Sequence, residues 1–74
     1  MNSKKDLKRS FSNSQRIAIF QFSNGKCQIC QTSIKDKPWH PDHIIPWHVG
    51  GKTDVINGQA LCVKCNLKKG GKIE

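Results

Sequence analysis

The sequence predicts a small α+β domain stapled by zinc, and three observations carry that prediction. The chain has 74 residues, of which only 35% are hydrophobic. Its four cysteines fall into two close pairs, Cys27-x-x-Cys30 and Cys62-x-x-Cys65. Turn signals at Gly50-Gly51 and Asn57-Gly58 cut the segment between the pairs into pieces that suit short strands.

A chain of this length makes one domain with a thin core, which rarely supplies more than ~3–5 kcal/mol by itself. Structural zinc contributes ~10–16 kcal/mol in apparent binding free energy, enough to decide whether the domain folds. Disulfides are the competing reading of the cysteines. The opening MNSKKDLKRS is polar and basic, without the apolar stretch of a secretory signal, so an intracellular, cytoplasmic location is expected. In a reducing compartment the pairs read as one site of four thiolates. A redox role for two Cys-x-x-Cys pairs without a βαβ pattern is the poorer fit.

The elements follow in order. Residues 1–10 hold Lys4, Lys5, Lys8 and Arg9 and read as a flexible basic arm, leaving residues 11–74 as the folded domain. Ser12-x-x-Gln15 has the form of a capping box and opens a helix from about Asn13 to Ser23, with Ile17, Phe20 and Phe22 on its apolar side. Asn24-Gly25 stops it ahead of the first cysteine pair. Residues 31–38 read as loop. A short strand is expected from Trp39 to Ile45, interrupted by Pro41, and Pro46 to Gly51 as loop. Gln59 to Leu61 is the returning strand into the second pair, and a helix runs from about Val63 to Lys69, ended by Gly70-Gly71. The order is helix, knuckle, strand, loop, strand, knuckle, helix.

Thirteen Lys and Arg against five Asp and Glu give a formal charge of +8. Four thiolates with one zinc ion reduce this to +6, and the isoelectric point lies near 9.7. Such a balance points to a polyanion, and nucleic acid is the expected partner. Anionic membrane is disfavoured, because no basic amphipathic helix of useful length is present and no stretch approaches the ~18–20 apolar residues of a span. No small-molecule substrate is evident.

Between the knuckles stand Asp42 and His43, a carboxylate beside an imidazole. Neighbours on a strand face opposite ways, so at a strand end the two divide their work, one towards a metal and one towards substrate. Asn57 and Asn66 add two amide oxygens, the second directly after Cys65.

The run HPDHIIPWHVGG, then Asn57, then LCVKCN followed by Lys69-Gly70, resembles the HNH endonuclease family over roughly Gly25 to Gly70. The resemblance implies a ββα-metal, treble-clef-like core, to which the helix near residues 13–23 is an extra. It implies that His43 is the general base, a role suited to an imidazole with an ordinary pKa near ~6.5. Asp42 and Asn66 would bind one divalent cation, Asn57 would hold the His43 loop, and the cysteines would carry structural zinc. The implied products of DNA hydrolysis are a 3′-hydroxyl and a 5′-phosphate, made by an endonuclease or nickase. Many members have histidine where this chain has Asn66, so this is an H-N-N variant. A neutral amide oxygen suits Mg²⁺ or Mn²⁺ better than zinc, nickel or copper.

Taken singly, each residue has a plainer reading: Asp42 as a turn cap, His43 as a packed histidine, Asn57 as turn, Asn66 as helix surface. Their joint arrangement favours function. Arg16, Lys52, Lys68, Lys69 and Lys72 are expected phosphate contacts, with a solvated cationic face as the alternative. His40 and His48 are expected on the surface, and Trp39 and Trp47 in packing. The main rival function is a non-catalytic zinc-knuckle module that binds nucleic acid, which has no need of Asp42-His43.

Overall fold

A computed structural model describes residues 9–70. The expected basic arm therefore lies outside the described residues, apart from Arg9 and Ser10. Helix α1 spans Asn13–Phe22 and opens with the anticipated capping box. The Gln15 N–H donates to Ser12 Oγ at 3.2 Å, and the Ser12 N–H donates to Gln15 Oε1 at 2.9 Å. The helix ends one residue earlier than expected. The Ser23 N–H is shared between the Ile19 and Phe20 carbonyls, and the Ser23 hydroxyl also donates to Phe20 O at 2.7 Å, which tightens the last turn. Asn24 and Gly25, at φ 57° and 70°, then turn the chain into the first knuckle.

Strand β1 (Trp39–His43) pairs antiparallel with β2 (Gly58–Cys62), from Trp39 opposite Cys62 to His43 opposite Gly58. Two details of β1 correct the sequence reading. The strand stops at His43 instead of Ile45, because the Ile44 N–H goes to the Asn57 carbonyl and the Ile45 N–H to the Asn57 side chain. Pro41 does not interrupt it. Opposite Ala60, Pro41 occupies a position whose backbone groups point away from the partner strand, so its missing N–H costs no ladder bond. Ala60 shows the same geometry from its own side: its N–H and C=O turn outward to Gln28 at 2.7 and 2.9 Å. That contact fastens the first knuckle to the open edge of β2.

Helix α2 (Val63–Lys69) follows β2 directly, with Cys62 as its N-cap and Gly70 at its end. Ile19, Cys27, Ile34, Ala60, Leu61 and Cys65 form the buried core, flanked by Phe11, Phe20, Trp39 and Val55. Trp39 packs as expected, its ring 5.5 Å from that of Phe20. The architecture is the expected small α+β domain, two helices about a two-stranded sheet.

The connection between the strands holds two short 3₁₀ turns, Trp47–Val49 and Val55–Asn57, where loop and turn were expected. Gly50 has φ 101°, and the Gly51 N–H returns to Pro46 O at 3.0 Å. A Cβ on Gly51 would lie 1.7 Å from the Ile45 carbonyl oxygen, so no larger residue fits beside the His43 loop. Gly51→Ala is expected to destabilise the zinc-loaded protein by about 1–3 kcal/mol, the usual cost of forcing atoms into packed structure. Urea unfolding checks this, with a lowered midpoint as the expected result.

Candidate functional site

Two neighbouring centres emerge from this frame. In the first, the sulfur atoms of Cys27, Cys30, Cys62 and Cys65 all lie within 4.8 Å of one another. Cys30 and Cys62 stand 3.8 Å apart, the edge length of a tetrahedron built on Zn–S bonds of ~2.3 Å. None of the four is paired in a disulfide, and all four sulfurs gather at one point as a single metal site requires. Burial pushes the Cys27 thiol up, but hydrogen bonds from the Cys30, Cys62 and Ile29 backbones and the Cys30 thiol outweigh it and bring it down to about 6. Burial and the adjoining thiols of Cys62, Cys30 and Cys27 push Cys65 up to about 12. Four thiolates this close repel one another unless a cation lies among them. This soft, four-sulfur donor set fits structural zinc.

The second centre lies where β1 ends. Asp42 turns towards α2: its Oδ2 is 3.0 Å from Lys69 Nζ and accepts from Gln59 Nε2 at 3.0 Å. Lys69 also donates to the His43 carbonyl at 3.0 Å. His43 turns the other way, its ring 4.6 Å from Phe11 and its Nε2 3.0 Å from Thr53 Oγ1. The strand alternation thus divides the adjacent pair between two environments. Both line a cavity of about 190 Å³ with Lys69, Arg9, Trp47 and His48. His43 also lines a second cavity, of about 260 Å³, with Arg9, Phe11 and Arg16.

Asn57 ties the loop beyond His43 into place. Its Oδ1 accepts from Ile45 N at 2.9 Å, and its Nδ2 donates to Ile45 O at 3.1 Å and Lys52 O at 2.8 Å. One side chain thereby joins both sides of the connection. Asn66 is half-buried on α2, three residues before Lys69 on the helix that meets Asp42. The Arg16 guanidinium sits 4.9 Å over the Trp39 ring at the rim of the second cavity. Lys52 and Lys68 are exposed, as are His40 and His48.

Lys69 departs from expectation. Read as a surface cation for phosphate, it is 1% exposed and directed inward to Asp42 and His43. Helical spacing carried no sign of this, because the run Lys68-Lys69 before a glycine reads as an ordinary cationic helix end. Thr53, Phe11, Gln59 and Arg9 were likewise missed; their places around Asp42 and His43 depend on contacts between distant segments. Arg9 lies over Trp47, its guanidinium 5.2 Å from the ring centre.

Residues 27–72 match the family model described as HNH endonuclease. No curated protein and no solved structure matches the chain. Among the described residues no helix is long and apolar enough to cross a membrane.

The metal centre generates its own test. One zinc per chain is expected by elemental analysis, and zinc uptake near neutral pH should release protons, Cys65 among the donors. Cys27→Ser should abolish the cooperative unfolding transition. Folded, cooperative protein containing no zinc would contradict the assignment.

Proposed function

The chain belongs to the HNH endonuclease family, and from that premise we propose that it is a metal-dependent DNA endonuclease or nickase. The family ties the chain to nuclease-type chemistry on nucleic acid. The observation that carries the finer reading is the placing of Asp42 and His43 side by side on one cavity, with Asn57 holding the loop that follows them.

His43 takes a proton from water as it attacks the phosphodiester phosphorus. Phe11 and Thr53 hold its ring from two sides, so the imidazole meets substrate in a fixed orientation. A Mg²⁺ or Mn²⁺ ion held by Asp42 and Asn66 would stabilise charge on the phosphate and the leaving 3′ oxygen. Both contacts to Asp42 fall on Oδ2, which leaves Oδ1 as the oxygen offered to a cation. Arg9 and Arg16, anchored over tryptophans at the cavity rims, present guanidinium groups suited to phosphate. Lys52 and Lys68 extend the cationic surface for the DNA backbone. Cleavage leaves a 3′-hydroxyl and a 5′-phosphate. DNA is the substrate this reading assigns.

Two experiments test the proposal. Purified zinc-loaded protein should relax or linearise supercoiled plasmid in Mg²⁺ or Mn²⁺, and His43→Ala should lose roughly 10²–10⁴ of that rate while keeping zinc and DNA affinity. Folded His43→Ala that cuts at the original rate would sink the nuclease reading and leave a binding module. For the cation, Asn66→His should tighten Ni²⁺ binding at the second centre, because imidazole is the better ligand for borderline metals. Equal Ni²⁺ affinity of the two zinc-loaded proteins, measured by calorimetry, would remove Asn66 from the ligand set.

A further inference from the structure

We propose that Lys69 makes cation binding at the second centre conditional on DNA: its ammonium offsets the charge of Asp42, and DNA phosphate supplies the negative charge that is then missing. The inference rests on the nuclease reading above and deepens it, since it concerns how that site is loaded. Lys69 is 1% exposed, and its Nζ lies 3.0 Å from Asp42 Oδ2. Its second contact, to the His43 carbonyl at 3.0 Å, holds the amine from another side. An ammonium buried and bonded in this way stays beside the carboxylate instead of swinging into solvent.

The donors suit Mg²⁺ or Mn²⁺ in kind, being hard oxygens, but their charge falls short. Asp42 Oδ2 is taken by Lys69 and Gln59, and Oδ1 is the oxygen offered to a metal. Asn66 adds only a neutral amide. Asp42 is the one acid lining the cavity of about 190 Å³, whereas Lys69 and Arg9 in the same lining are cationic. The Asp42–Lys69 pair sums to zero charge, and Arg9 makes the cavity positive. A dication entering it gains no net Coulomb attraction in return for lost hydration, and Mg²⁺ gives up its water reluctantly.

A DNA phosphate in this cavity reverses the balance. It brings negative charge and further oxygen ligands, the usual way in which Mg²⁺ is completed at a site with few carboxylates. Arg9, in the cavity wall, is suited to draw the phosphate in. Lys69 meanwhile keeps Asp42 in one orientation, so the oxygen offered to the cation is already placed. Cation and DNA are therefore coupled ligands, each raising the other's affinity by the same factor. Away from DNA the protein carries zinc alone.

Mn²⁺ binding to zinc-loaded protein, followed by loss of the free ion's electron paramagnetic resonance signal, tests this directly. Lys69→Met keeps a long buried side chain and removes its charge. Without DNA it should bind Mn²⁺ roughly 5–150-fold more tightly than wild type, the usual size of a coupling between two ligands. A lysine that only props the fold gives the opposite sign, because loosening Asp42 weakens the site. Equal or weaker Mn²⁺ binding by folded Lys69→Met overturns the proposal. A second measurement leaves Lys69 in place. In a His43→Ala background, which keeps the DNA uncut, a short duplex should tighten Mn²⁺ binding over the same range, beyond what the duplex binds alone. Asp42→Asn should abolish that gain. Equal affinity with and without DNA, or a gain that survives Asp42→Asn, overturns the proposal even if Lys69→Met fails to fold. Plasmid cleavage by the wild type, run alongside, separates the two levels: cutting beside an unaltered Lys69→Met affinity leaves the nuclease reading standing and removes only this role of Lys69.

Discussion

The sulfur atoms of Cys30 and Cys62 meet although the residues are 32 positions apart, and that meeting organises everything between them. Few apolar side chains are fully buried, and two members of the core cluster are themselves cysteines of the metal centre. A zinc ion held by the four sulfurs would therefore contribute to the core as well as clamp it. Cys62 shows how closely the levels are joined. It ends β2, caps α2 and supplies a ligand, its sulfur accepting from the Cys65 N–H at 3.4 Å. Fixing that one residue sets the angle at which the strand passes into the helix.

Lys69 and Asp42 form the second organising contact. The Lys69 ammonium is fully buried and the Asp42 carboxylate mostly so; drawing both charges out of water is costly, and their mutual attraction offsets that cost only with good geometry and further hydrogen bonds. Here Gln59 supplies one such bond to Asp42, and the His43 carbonyl accepts another from Lys69. The pair adds little net stability by comparison with apolar packing, but it gives Asp42 one orientation. Such an arrangement suits the metal-ligand role proposed for Asp42. It also explains how α2, only seven residues long, can position the end of β1 opposite Gly58, at the other end of the ladder from Cys62.

Much of this was legible in the residues. The capping box, both helices, the strand pairing and the four-cysteine cluster follow from short-range patterns: a spacing of three, a turn dipeptide, a glycine stop. The adjacency of Asp42 and His43, and the place of Asn57 ahead of β2, could be read as motif. What stayed hidden depends on which way a side chain points once distant segments meet. Lys69 looked like its exposed neighbour Lys68 because nothing in a lysine pair says which ammonium turns inward. Thr53 carried no signal, since its contacts with Arg9 and Gln15 span 44 and 38 residues. Pro41 misled for a related reason: whether a strand tolerates proline depends on which of its edges bonds, and register fixes that.

Helix α2 carries Cys65 at its third position and Lys69 at its seventh. The four-residue step between them is close to one full turn, so ligand and ammonium rise on nearly the same side. Inserting one residue in that interval would rotate Lys69 by ~100° and swing its amine off Asp42. Deleting one would do the same in the other sense. The interval is thus fixed in length as firmly as the spacing inside a Cys-x-x-Cys pair, although no rule of metal coordination requires it. Segments such as residues 35–38, exposed and outside the regular elements, carry no such phase relation and are where the chain can lengthen over evolution.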